Sequence, residues 1–354
     1  MAISTCTHAA RCPACSITAM YDVGSDLVHN EDMTKSYVIG IDIGGTKISA
    51  AICDFSGEII FDLKWDTCVQ NGAEYVIQRV LEAIRTAQES SGVPANQLRG
   101  IGISSPGPLS VSEGKIVFAP MLNWKDVYIR DIIKNAFNTP VFLENDTNSA
   151  AYGEKCLGAG KDYENVIYIT VSTGVSCGII TNGKIIHGRH DFAGELGHIC
   201  IVPDGRSCAC GNKGCLEAYT AGPGIAAIAR EMDIRNSKIL TYSDNDISNV
   251  DCLAIAKAAR DSDTTALELW NSVGENLGLG VSIIAQLLDP DIVILGGGVT
   301  EAWDLFYKPM LGAIRKHSYP MISGDLQVVR AGLGQKACLI GAALIAAHQL
   351  QGLN

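Results

Sequence analysis

The sequence predicts an α/β fold of two lobes, and three observations carry that prediction. The chain is longer than one hydrophobic core usually organises, so two cores are expected. From Tyr37 onward, short β-branched apolar runs alternate with stretches of helical period. Small-residue turns follow directly on three of the apolar runs, as in open α/β sheets that hold ligands beyond their strand ends.

The elements follow in order. Residues 1–36 show no sustained periodicity and read as a poorly ordered extension. They carry Cys6, His8, Cys12 and Cys15, a pattern with no second pair to complete a metal site. Tyr37 to Ile43 has the composition of a central buried strand. A hairpin is expected where Asp54-Phe55-Ser56-Gly57 separates Ala50–Cys53 from Glu58–Phe61. Val76, Val80, Ile84 and Ala87 then recur at helical spacing ahead of Gly92 and Pro94. Further strands are expected at 98–104, 141–144, 166–172 and 177–181, the last closing on the turn pair Asn182-Gly183. A long helix over 264–288 leads into the apolar strand 291–295, and 335–349 reads as a final helix.

Composition narrows the function. The chain is 47% hydrophobic, yet no apolar run approaches the roughly 18 residues that span a bilayer, and Met1 opens no signal-peptide pattern. A cytoplasmic protein is expected. With 27 basic and 38 acidic residues the net charge is -11, which opposes binding to nucleic acid or anionic membrane. The thirteen cysteines are odd in number, and Cys53, Cys156, Cys252 and Cys338 stand singly in apolar stretches, as buried thiols in a reducing compartment do.

Three turns are candidates for gripping an anion. In Asp42-Ile43-Gly44-Gly45-Thr46-Lys47 the glycines let the backbone approach closely, Thr46 offers a hydroxyl and Lys47 a charge. The spacing is that of neither a P-loop nor GxGxxG, and hairpin geometry alone also makes such a turn. Ser172-Thr173-Gly174-Val175 and Gly296-Gly297-Gly298 are the other two. Together they suit a nucleotide clamped between lobes.

Asp146 ends the segment Pro140-Val141-Phe142-Leu143-Glu144-Asn145-Asp146 just before a helix. It fits two roles there, a helix N-cap or the base that takes a proton from an attacking hydroxyl. Downstream, His198 with Cys208, Cys210 and Cys215 forms His-x9-Cys-x-Cys-x4-Cys, the donor set of a closed tetrahedral zinc site. Gly205, Gly211 and Gly214 supply its turns, and with no open ligand position the metal is structural. Glu195 and Glu217 stand at fixed distances from these ligands, and paired carboxylates suit polyol recognition.

The phosphate turns, Glu144-Asn145-Asp146, Glu195-Leu196-Gly197-His198 and the cysteine run resemble, in that order, the motifs of the ROK family of repressors, uncharacterised reading frames and sugar kinases. The resemblance runs from Tyr37 to the C-terminus. It implies an actin-like ATPase (ribonuclease H-like) fold, with a small lobe of 37–147 plus 337–354 and a large lobe of 148–336. It further implies that Asp42 positions Mg2+ through water. Gly44, Gly45, Thr46, Lys47, Thr173 and Gly174 would hold ATP phosphates, and Gly296, Gly297 and Gly298 would lie near the adenosine. Asp146 becomes the base, Asn145, Glu195, Glu217 and Gly107 sugar contacts, and His198 a ligand of both Zn2+ and sugar.

The implied activity is an ATP-dependent hexose kinase acting on glucose first and N-acetylmannosamine next, in a homo-oligomer, dimer or tetramer. Two departures from the family pattern stand out. Ser176 and Cys177 replace glycines of the second phosphate motif and are expected to narrow it. Met121 stands where many family glucokinases have an asparagine facing the sugar, with Asn123 two positions on. The family's repressors carry a DNA-binding module, for which residues 1–36 are expected to be too few. An actin-like chaperone or filament ATPase would leave the zinc and sugar carboxylates without purpose.

Overall fold

The structure is a computed structural model that describes residues 36–352, so Cys6, His8, Cys12, Cys15 and the expected extension lie outside the described residues. Strands β1 (Tyr37–Ile43), β2 (Lys47–Asp54), β3 (Ile59–Asp66) and β4 (Leu98–Ser105) are followed by a small sheet of β5 (Leu109–Ser110), β6 (Lys115–Ala119) and β7 (Trp124–Val127). Then β8 (Val141–Asn145) completes a first five-stranded sheet of order β3-β2-β1-β4-β8. The second sheet uses β9 (Val166–Val171), β10 (Val175–Thr181), β11 (Lys184–Ile185), β12 (Ile292–Gly296) and β13 (Gln327–Arg330), in the order β11-β10-β9-β12-β13.

Each sheet begins with an antiparallel hairpin, Asp42 facing Ser49 in one and Thr170 facing Ser176 in the other, and continues with parallel strands. The fully buried runs of β1, β4, β9 and β12 are what a sheet covered on both faces demands. The helix Ala73–Ser90 covers the first sheet, burying Val76, Val80, Ile84 and Ala87 as their spacing predicts. The helix Thr264–Leu288 covers the second with Leu269, Trp270, Val273 and Leu277.

Two further helices lie between the sheets, and they are crossed. The helix Asp146–Leu157 follows β8 of the first sheet but packs on the second, where Ala150, Ala151 and Tyr152 join Val166, Tyr168 and Ile180. The helix Ala337–Gly352 follows β13 of the second sheet but packs on the first, setting Leu339, Ala343, Ala346 and Ala347 against Val38, Ala51 and Cys53. Gly102 permits that approach, since a Cβ there would collide with the Ala342 carbonyl. Gly341 does the same between the two helices, where a Cβ would strike the Ser149 carbonyl. Buried Glu154 staples the crossing, accepting hydrogen bonds from the backbone N–H groups of Ala159 (2.8 Å), Gly332 (3.0 Å) and Leu333 (2.7 Å).

The expected elements are present with shifted ends. The hairpin is longer than expected, β2 and β3 pairing from Lys47–Asp66 to Cys53–Ile59. The last helix starts at Ala337, because Gln335 belongs to the 3-10 turn Gly334–Lys336. Asn145, not Asp146, caps the helix: its Oδ1 accepts from Thr147 N (2.9 Å), and Asp146 is the first helical residue. Among the described residues no helix is long and apolar enough to cross a membrane.

Candidate active site

The first turn closes through Gly44 N–H donating to Lys47 O (2.8 Å), and Thr67 braces it by donating from Oγ1 to Gly44 O (2.6 Å). Gly45 lies against Met121, whose Cβ would be 2.9 Å from a Cβ at Gly45, so Met121 stands beside the phosphate turn. Thr46 and Lys47 are exposed at its rim, and Lys47 forms an ion pair with Asp66. Asp42, at the end of β1, accepts a hydrogen bond from Ser104 Oγ (2.9 Å). Burial pushes its carboxyl up to about 6, against the opposing bond from Ser104, and the nearby charge of Asp146 adds to the rise.

The second turn closes through Ser172 N–H donating to Gly174 O (2.9 Å). Its Val175 N–H donates to Glu217 Oε2 (2.9 Å), which ties the turn to the first residue of the helix Glu217–Thr220. The third turn lies beside it. Gly297 has φ 91°, open to glycine at little cost, and a Cβ on Gly298 would be 3.8 Å from Ser172 Oγ. Gly297 and Gly298 thus meet Val171 and Ser172 at adjoining ends of β12 and β9. The expected narrowing by Cys177 does not occur: strand alternation turns it into the core at 1% exposure, and Ser176 Oγ donates to Gly194 O (3.2 Å).

Asp146 follows directly on β8 of the first sheet as the first residue of the helix Asp146–Leu157. Burial raises its carboxyl above the usual range, the Thr147 N–H bond (2.7 Å) opposes that, and Glu195 raises it further. Asp146 therefore lies within electrostatic reach of both Asp42 and Glu195. Gly107, in the loop after β4, adjoins Asn145: a Cβ there would be 3.7 Å from Asn145 Nδ2. Glu195 also lies above the ordinary carboxylate range, first through burial, with His198 opposing and Glu217 adding.

His198 bridges two neighbourhoods. Its Nδ1 is 3.7 Å from Cys208 Sγ, and its Nε2 is 3.7 Å from Glu195 Oε2. The donor atoms of His198, Cys208, Cys210 and Cys215 all lie within 4.8 Å of one another, with Cys210 and Cys215 sulfurs 3.6 Å apart. Thiolates around tetrahedral zinc stand about 3.8 Å apart if each bond is about 2.3 Å, so these residues fit that metal.

Sequence reasoning missed one buried pair. Glu144 is 1% exposed and His187 is 5% exposed, with Glu144 Oε2 2.7 Å from His187 Nε2. Glu144 Oε1 accepts from Asn145 N–H (2.9 Å) and Asn148 Nδ2 (3.0 Å), so it holds the backbone before Asp146 and the Asn148 side chain after it. Glu144 stood inside a quoted motif, whereas nothing in its own neighbourhood marks His187.

Chemically, the site sets two carboxylates from one sheet against backbone-rich turns from both sheets. That arrangement suits in-line phosphoryl transfer, which asks for positioning and charge stabilisation more than for covalent chemistry. Known proteins agree. The profile of the ROK family matches residues 38–349. The glucokinase of Thermotoga maritima is 32% identical over 322 residues, covering 90% of this chain and all of that one. The xylose repressor of Bacillus subtilis is 31% identical over 305 residues, 86% of this chain and 75% of the repressor. A ROK family glucokinase from Streptomyces griseus, solved with glucose and AMPPNP, superposes with TM-score 0.75 at 33% identity, over 88% of this chain and 99% of that one. The chain belongs to the ROK family, and its α/β fold is of the actin-like ATPase type.

Proposed function

We propose that this ATP-dependent sugar kinase transfers the γ-phosphoryl group of ATP to a hydroxyl of glucose, with Asp146 as the general base. The observation that supports the proposal is the place of Asp146, half-buried and within electrostatic reach of both Asp42, beside the first glycine turn, and Glu195. In this reading Asp146 takes the proton of the attacking hydroxyl, and its raised affinity for protons suits that task near neutral pH. Asn145 Nδ2, Gly107, Glu195, His198 and Glu217 orient the sugar. Gly44, Gly45, Thr46, Thr173 and Gly174 hold the phosphates, Lys47 stands at the rim, and Gly296 to Gly298 flank the adenosine.

Asp42 would hold Mg2+, which neutralises charge on the phosphates when bound. His198, Cys208, Cys210 and Cys215 would hold Zn2+, which fixes the loop that carries Glu217. A small lobe of 37–147 plus 337–354 closes on a large lobe of 148–336 and keeps water from the transferring phosphate. A cytoplasmic homo-oligomer is the protein's expected form.

Coupled ADP release across hexoses and N-acetylhexosamines tests the substrate. We expect kcat/KM for glucose at least equal to that for N-acetylmannosamine; a preference for the latter beyond about tenfold, roughly 1.4 kcal/mol, overturns glucose and leaves the kinase. Similarity to a xylose repressor favours a second reading, a sugar-sensing regulator. Tight sugar binding with no sugar-dependent ADP release would establish it.

A further inference from the structure

The loop that precedes Glu195 touches both halves of the cleft. It closes on itself through Ala193 N–H donating to His187 O (3.0 Å), and it is anchored to β10 by Cys177 N–H donating to Gly194 O (2.7 Å). From this frame His187 reaches Glu144 (2.7 Å) behind the catalytic turn. Asp191, held at φ 61°, reaches across to the small sheet, accepting Val111 N–H at Oδ2 (3.1 Å). Burial raises the Asp191 carboxyl, opposed by the Val111 N–H bond and by the neighbouring His187. A single loop therefore contacts the turn around Asp146, the sheet of β5 to β7, and, at its end, Glu195.

We propose that His187 is a positioning residue for phosphoryl transfer, locking the Asn145–Asp146 turn through Glu144 to the loop that carries Asp191 and Glu195. A hydrogen bond to a carboxylate withdrawn from water is strong and directional, so the imidazole fixes the orientation of Glu144. Glu144 in turn fixes Asn145 N–H and Asn148, the groups that set where Asp146 points. His187 touches neither sugar nor phosphate in this scheme. The role rests on the kinase reading, but its physical basis is testable without turnover.

The test compares His187→Gln, whose amide reaches Glu144 as Nε2 does, with His187→Asn, whose amide stops short. We expect His187→Asn to lower kcat at least about tenfold with KM for ATP changed less than about twofold, and His187→Gln to stay within about threefold of the parent. Equal kcat in the two variants overturns the proposal. Hydrogen exchange across residues 144–149, measured without substrate, should accelerate in His187→Asn and not in His187→Gln. Unchanged exchange in both overturns the role whatever sugar the parent phosphorylates, whereas a parent inactive on every sugar counts against the kinase reading alone.

Discussion

The two five-stranded sheets share one topology and divide the chemistry between them. In the first, β1 ends at Asp42 and Ile43, β4 at Ser104 and Ser105, and β8 runs through Glu144 and Asn145 into Asp146. In the second, the corresponding strands end in Val171, Gly296 and Arg330. One sheet presents carboxylates and hydroxyls at its strand ends; the other leads from Val171 and Gly296 into glycine-bearing turns, with Arg330 at its edge strand. In the proposed reading, duplicated geometry yields one half whose carboxylates serve proton transfer and Mg2+, beside an anion turn of its own, and a second half that adds only glycine-rich turns.

Four experiments sharpen or break that division. Asp146→Asn removes the base while keeping its shape, so kcat should fall about 10²- to 10⁴-fold with sugar binding within a few fold. Unaltered turnover in an ADP-release assay would end the assignment of proton transfer to the first sheet.

The second is the pH profile. Asp146 accepts a proton only when ionised, and its carboxyl and that of Asp42 both lie above the ordinary range near 4, Asp42 at about 6. Turnover should therefore drop as Asp146 protonates, by up to about tenfold per pH unit, beginning at a higher pH than an ordinary aspartate would give. Stability runs the opposite way. A carboxyl raised by folding stabilises the protein below its unfolded value and loses that contribution as pH rises through about 6. The ligand-free protein should gain melting temperature from pH 7 to pH 5, and Asp42→Asn should reduce the gain. A flat profile in both measurements would refute the burial of these charges.

Third, Cys210→Ser should release the metal and lower the melting temperature by at least about 5 °C, because the metal contributes folding free energy. Elemental analysis that finds zinc in neither parent nor variant would dismiss the site. Fourth and smallest, Gly102→Ala should cost about 1 to 3 kcal/mol by forcing the helix Ala337–Gly352 off the first sheet, read as a loss in denaturant midpoint at an unchanged slope. No loss would mean that the crossed helix yields easily.

Much of this was legible in the chain because the chemistry needs local patterns. The anion turns announce themselves as apolar strands running into Gly44-Gly45, Thr173-Gly174 and Gly296-Gly297-Gly298, and the Cys/His cluster by spacing alone. What stayed hidden depends on contacts between distant segments. Glu144 and His187 are 43 residues apart, and neither looks unusual beside its neighbours. The small sheet escapes because β5 holds two residues, too few for an alternating pattern. Lys47 and Met121 were assigned by type and motif position; their pairing with Asp66 and their place beside Gly45 come from tertiary packing. The final helix did leave a trace, since Ala337–Gly352 is apolar nearly all round, the mark of a helix enclosed on every side.

Those crossed helices also set the order in which the protein is made. Val38, Ala51 and Cys53 are synthesised well before their cover, Leu339, Ala343, Ala346 and Ala347, which lies far along the chain. The first sheet can form its hairpin and bury one face under Ala73–Ser90 early, but its other face stays open until Ala337–Gly352 has been made. The first sheet is thus sealed from far down the chain, and chains cut short before Ala337 leave Val38, Ala51 and Cys53 uncovered.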